Sequence, residues 1–147
     1  MDVINRASEL INAKTGYVWE GYAALSLIDE NGYPCAATFA IVKADGINWL
    51  TFATRISRGY AERISQNNKA CVCINSSEYN INLVGTVQAC TDITTKQDMW
   101  IPNTAMEQLW DGPDDPDLLI LRFHTERYSL WFKEDWASAA GNLQQQA

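Results

Sequence analysis

Short apolar runs separated by polar turns dominate this sequence, and they restrict the chain to antiparallel β architecture. Residues 22–28 form one such run, Asp29-Glu30-Asn31-Gly32 reads as a turn, and residues 34–42 resume extended structure. Ala44-Asp45-Gly46 is a second turn before a third strand over 47–53. Residues 70–75 and 81–91 are two more strands joined by a polar turn, and 118–124 and 127–132 close the series. Helical spacing occurs in four places. Val3, Ile4, Ala7, Leu10 and Ile11 share one face behind a capping Asp2, with Gly16 beyond the end. Tyr60, Ala61 and Ile64 suit a short helix with Ser57 as its N-cap. Residues 94–100 and 104–110 are two short helices broken at Pro102. The expected fold is mainly β: an antiparallel barrel of six to seven strands with three to four flanking helices. Closure would remove exposed edges. A doubly wound sheet is excluded, because the first three strands follow one another with no helix between them.

At 147 residues the chain is expected to be a single domain over 1–136, followed by a polar tail over 137–147 that reads as frayed or loosely helical. The formal charge of −7 argues against binding to nucleic acid or an anionic membrane surface. No apolar run reaches membrane-spanning length, and the N-terminus lacks a signal-peptide layout, so a cytoplasmic location is expected. Cys35, Cys71, Cys73 and Cys90 form no CxxC pair and read as small buried hydrophobes. With His124 the only histidine, no metal site is expected. His124 would suit a general base, but no nucleophile motif accompanies it, and a structural role is the simpler reading. Asp111, Asp114, Asp115 and Asp117 crowd one loop whose prolines do not follow calcium-loop order. Trp100 and Trp110 fit core or dimer packing.

Charge placement is the most informative local feature. Arg55, Arg58, Arg63 and Lys69 fall within fifteen positions beside a single acid, Glu62, in an otherwise acidic chain. The island opens where a strand passes into a helix, with hydroxyls at Thr54 and Ser57 and no side chain at Gly59. Free N–H groups and arginines at such a junction suit a phosphate, although a solvated helix face would look the same.

The segment Thr54-Arg55-Ile56-Ser57-Arg58-Gly59-Tyr60-Ala61-Glu62-Arg63-Ile64, preceded by Phe52 and followed by Asn67, resembles the stretch after the third strand of pyridoxamine 5′-phosphate oxidase-like split barrels, in particular their general stress protein branch. Asp29-Glu30-Asn31-Gly32-Tyr33-Pro34, Val84-Gly85-Thr86-Val87 with Asp92, Trp110-Asp111-Gly112-Pro113-Asp114-Asp115-Pro116 and Tyr128-Ser129-Leu130-Trp131-Phe132 resemble further family stretches in the same order. The resemblance implies a split barrel of FMN-binding type, working as a homodimer with the cofactor cleft at the interface. It implies phosphate or ribityl contacts from Thr54, Arg55, Ser57 and Arg58, with Phe52 and Tyr60 in the same motif. Ala37, Thr38 and Phe39 would border the flavin ring, and Trp110 and Trp131 would line the cleft, in part from the partner chain. Where many relatives have Arg-Pro-Met this chain has Ala37-Thr38-Phe39, and Tyr60 stands at the usual phosphate lysine, leaving Arg58 or Arg55 to supply the charge. The function implied is an FMN-dependent oxidoreductase with a small-molecule electron donor or acceptor. The residues that would hold pyridoxal phosphate in a true pyridoxamine phosphate oxidase are not recognisable, and no catalytic side chain is assigned. The alternatives are a flavin- or haem-binding protein without turnover, and a dimer whose cleft has lost its ligand.

Overall fold

The computed structural model describes residues 2–143. Helix α1 (Val3–Ala13) starts at Asp2, whose carboxylate accepts a hydrogen bond from the Asn5 amide, one of the unpaired N–H groups of a first turn. Ala7 and Ile11, one turn apart, are its buried face. Seven strands follow: β1 (Tyr22–Ile28), β2 (Pro34–Asp45), β3 (Trp49–Arg55), β4 (Lys69–Asn75), β5 (Tyr79–Cys90), β6 (Leu118–Phe132) and β7 (Ala137–Asn142). A 3-10 turn (Ile56–Arg58) and helix α2 (Tyr60–Gln66) join β3 to β4, and helices α3 (Ile93–Met99) and α4 (Met106–Leu109) lie between β5 and β6.

Every pairing is antiparallel, in the order β3-β2-β1-β4-β5-β6-β7, and β3 also pairs with β6 from Trp49–His124 to Arg55–Leu118. That last pairing closes six strands into a barrel, and β7 lies against the far half of β6. The mainly β barrel with flanking helices is therefore what the chain forms. Alternation places Leu25, Leu27, Leu50, Phe52, Leu121 and Phe123 inside the barrel, where they pack with α1 through Ala7 and Ile11. The strands β3 and β6 are buried on their outer faces too. There Ala53, Leu118 and Ile120 meet Val42, Cys90, Met99, Met106 and Trp110 in a second, smaller apolar cluster beneath α3 and α4.

Four local expectations are corrected. The runs 118–124 and 127–132 are one strand, interrupted only by a bulge at Glu126, where the register slips between Val84 and Gly85. A Cβ on Gly85 would collide with the His124 carbonyl oxygen, so this crossing tolerates only glycine. Residues 137–142, read as tail, are β7, ordered by pairing along β6; Gln144–Gln146 lie outside the described residues. Ser57 is not the cap of α2. It lies in the 3-10 turn, and Gly59, at φ +81°, sits before the first helical residue. Of the four thiols only Cys90 is buried; Cys71 and Cys73 are half-buried and Cys35 is exposed.

Candidate functional site

The barrel opens where β2 and β3 part. Their hydrogen-bonded register ends at Ile41–Phe52, so residues 37–40 of β2 and 53–55 of β3 diverge. The segment before β1 prolongs the β1–β2 ladder beside this opening: the amides of Gly16 and Tyr17 donate to the Val42 and Ile41 carbonyls, and the Ile41 amide donates to the Gly21 carbonyl. Between the separated strands lies a cleft of about 210 Å³. Ala37, Thr38, Phe39 and Ala40 form one wall; Ala53, Thr54, Arg55, Arg58 and Tyr60 form the other; Tyr17, Leu109 and Trp110 cover it. An adjoining apolar recess of about 280 Å³ shares Tyr17, Thr38, Ala40 and Leu109, and ends at Trp19, which is 91% exposed.

Aromatic contacts fix the shape of the walls. The Phe39 ring meets Tyr60 edge-on at 5.4 Å and Phe52 at 6.0 Å, and Tyr17 meets Trp110 edge-on at 6.1 Å. Trp110 is only 3% exposed, and its indole N–H has no hydrogen-bond partner among the described residues. A buried donor without an acceptor is costly unless something completes it. Burial pushes the Tyr17 hydroxyl above its ordinary range, against a smaller pull from Arg55.

Most of the residues expected at a ligand site meet in this one cleft: Ala37, Thr38, Phe39, Thr54, Arg55, Arg58, Tyr60 and Trp110. Three lie elsewhere. Phe52 is 0% exposed and belongs to the barrel interior. Ser57 is outside the lining and is held by Asp117, whose carboxylate accepts from the Ser57 amide at 3.1 Å and from Arg55 Nη1 at 3.2 Å. Trp131 is on the outer sheet face, edge-on to Trp136 at 5.6 Å. His124 borders a separate open depression with Ser65, Asn68 and Gln88. Asp92, Asp115 and Asp117 all lie below the ordinary carboxylate range, chiefly through the backbone amides of Thr95, Asp111 and Ser57 respectively. Among the described residues no cluster of metal ligands exists, and no helix is long and apolar enough to cross a membrane.

The family described as "Pyridoxamine 5'-phosphate oxidase like" matches residues 11–145. The chain belongs to that family. Solved structures support the same fold. A Clostridium acetobutylicum protein related to general stress protein 26, of the pyridoxinephosphate oxidase family, is 24% identical, with a TM-score of 0.79 over 95% of this chain and 94% of that one. The general stress FMN/FAD binding protein of Xanthomonas citri is 17% identical, with a TM-score of 0.68 over 96% of each chain. A heme binding protein from Mycobacterium smegmatis is 13% identical, with a TM-score of 0.68 over 92% of this chain and 57% of that one. A comparison with curated proteins gives no match.

Sequence reasoning missed Tyr17, Ala40, Ala53 and Leu109 in the cleft, and the part played by Asp117. Tyr17 sits at φ +57° after Gly16, in a turn whose partner strand the local pattern does not reveal. Asp117 meets Arg55 across 62 positions of chain. Only an acid directly before a strand, facing an arginine at another strand's end, signals it, and those two ends become neighbours only when the barrel closes.

Proposed function

We propose that the cleft binds FMN and that the protein is a flavin-dependent oxidoreductase acting with a small-molecule electron donor or acceptor. The observation that carries this reading is the cleft itself. A narrow wall of small β2 residues faces a hydroxyl and an arginine on the far side, under a buried indole N–H that lacks an acceptor. Those features fit a flat, polar-edged ring with a phosphorylated tail. When bound, FMN would supply the electron-transfer chemistry, so no protein nucleophile is required. The chain's own residues bind and shield. Thr54 and Arg58 hold the tail, and Ala37, Thr38 and Phe39 border the ring. Tyr17, Leu109 and Trp110 keep water from the closed side, and the Trp110 N–H gains an acceptor.

The protein works as a homodimer in the cytoplasm in this reading. Support comes from the outer face of β1, β2, β4 and β5. By register Ala24, Ser26, Ala36, Thr38, Cys71 and Cys73 share that face with Asn82 and Val84 of β5, a surface of mostly small side chains that reaches the cleft at Thr38. A second copy seated there would bring its own Trp131 toward the ligand.

One observation favours the alternative of flavin or haem binding without turnover. Among the described residues the cleft is lined by no His, Asp, Glu, Lys or Cys, so no general acid or base for neutral pH borders it. A visible spectrum of the purified protein, mass identification of anything released on denaturation, and titration with FMN test the reading. A flavin spectrum or Trp quenching by FMN supports it; absence of both overturns it. Reduction of the bound flavin by NADH or NADPH, with reoxidation by a test acceptor, marks turnover, and resistance to every donor marks the binder.

A further inference from the structure

Given the flavin reading above, on which the following rests, the phosphate end of the cleft carries less usable positive charge than the basic island suggests. Arg55, the Ser57 amide and the Ser57 hydroxyl are the kinds of donor that hold phosphates, and all three already face one anion. The Asp117 carboxylate accepts from Arg55 Nη1 at 3.2 Å, from the Ser57 amide at 3.1 Å and from Ser57 Oγ at 3.5 Å. Arg55 also donates to the Leu109 carbonyl.

The main chain that carries the Asp117 side chain is itself held in place. The Asp117 amide donates to Asp115 Oδ1 at 2.9 Å and its carbonyl accepts from the Ile56 amide at 2.9 Å. Asp115 is in turn fixed by the Asp111 amide at 2.9 Å, while the buried Lys96 ammonium donates to the Asp115 carbonyl at 2.8 Å. The Ser57 amide first, and then Arg55 and the Ser57 hydroxyl, lower the Asp117 acid from its ordinary range, against a smaller opposing effect of burial. Among the described residues this leaves Arg58 as the one cleft arginine outside an ion pair. Even Arg58 shares its outer surface with Glu30 and Glu62, and the Glu30 carboxylate is 3.6 Å from Arg63.

We infer that Asp117 occupies the place of a phosphate within the fold, so that the cleft recognises flavin through its ring and ribityl chain and separates FMN from riboflavin only weakly. One unpaired arginine faces what would otherwise be a dianion, and an internal carboxylate stands close by to repel it.

The test is titration of the full-length protein with riboflavin and with FMN in parallel, followed by Trp quenching and calorimetry. Dissociation constants within about tenfold of each other are expected. Asp117→Asn releases Arg55, and is expected to move the ratio at least about tenfold toward FMN. Arg58→Ala is expected to bring the wild-type ratio close to one. A wild-type preference for FMN above about tenfold overturns the inference while leaving the flavin reading intact. So does an Asp117→Asn protein that folds, binds flavin and keeps the wild-type ratio. Binding of neither flavin overturns both. The wild-type ratio decides even where Asp117→Asn does not fold.

Discussion

Neighbouring side chains on β6 belong to two different interiors. Leu119, Leu121 and Phe123 point into the barrel, whereas Leu118 and Ile120 lie under Met99, Met106 and Trp110. The barrel interior is enclosed by six strands paired in a closed ring, β2 and β3 over only part of their length. The outer cluster is roofed by two short helices and a loop, held by scattered polar contacts. Lys43 Nζ donates to the Asp98 carbonyl, Lys96 Nζ to the Asp115 carbonyl, and Asp92 caps α3 through the Thr95 amide. The first region is stabilised by cooperative pairing, and the second by individual contacts that can be lost one at a time. The cleft takes its floor from the first and its cover from the second.

The contrast is open to direct test. Phe123→Ala empties space among fully buried neighbours and is expected to cost about 3–5 kcal/mol, read from the urea midpoint with all probes moving together. Met106→Ala opens a smaller cluster bordering solvent and is expected to cost about 2 kcal/mol. It should also weaken flavin binding, because Leu109 and Trp110 continue from the same helix. Equal costs for the two changes, with flavin affinity unmoved by Met106→Ala, would erase the distinction between the regions.

Acid separates them next. Asp92, Asp115 and Asp117 have folded values below the ordinary carboxylate value near 3.9. Their contribution is therefore present above about pH 4 and is lost as the pH falls through the folded values. All three belong to the outer region, so Trp fluorescence should change at a higher pH than the β-sheet circular dichroism. Coincident transitions would show that the outer contacts do not act independently.

The smallest effect concerns the hairpin between β1 and β2, remote from both clusters. Asp29 accepts from the Cys35 thiol at 3.2 Å, and that hydrogen bond raises the thiol above its ordinary range. Asp29→Asn keeps the turn's acceptor but removes the charge, so iodoacetamide should modify Cys35 faster at pH 8. Unfolding should remain unaltered; a changed urea midpoint would tie this hairpin to the packed regions.

Legibility in the sequence followed the same division. Strand β1 was read with its observed bounds, because Ala23, Leu25 and Leu27 alternate and the barrel buries that alternation. Strand β6 was divided at Thr125 and Glu126, polar residues at a bulge that continues the strand instead of ending it. Strand β7, Ala-Ser-Ala-Ala-Gly-Asn, has neither β-branched nor aromatic residues; its extended form comes from the edge that β6 offers it. Within the site, the resemblance located the strand-to-helix corner and the small β2 wall. It did not anticipate that Phe52 would turn inward or that Asp117 would take Ser57 and Arg55. The first depends on the facing of β3 and the second on a contact between distant parts of the chain.

Barrel closure through β3 and β6 also bears on how the molecule assembles in time. The hairpins β1–β2 and β4–β5 join neighbours in the chain and can form early, whereas the Arg55–Asp117 bridge spans 62 positions. The chain between those ends must be gathered before the bridge and the β3–β6 pairing repay the lost entropy. Leu109 and Trp110, the distant part of the cover, thus join the β2 and β3 walls of the cleft only in the last, slowest stage of folding. Binding competence should lag behind the appearance of β structure, and the delay between the two signals would time the closing of the barrel.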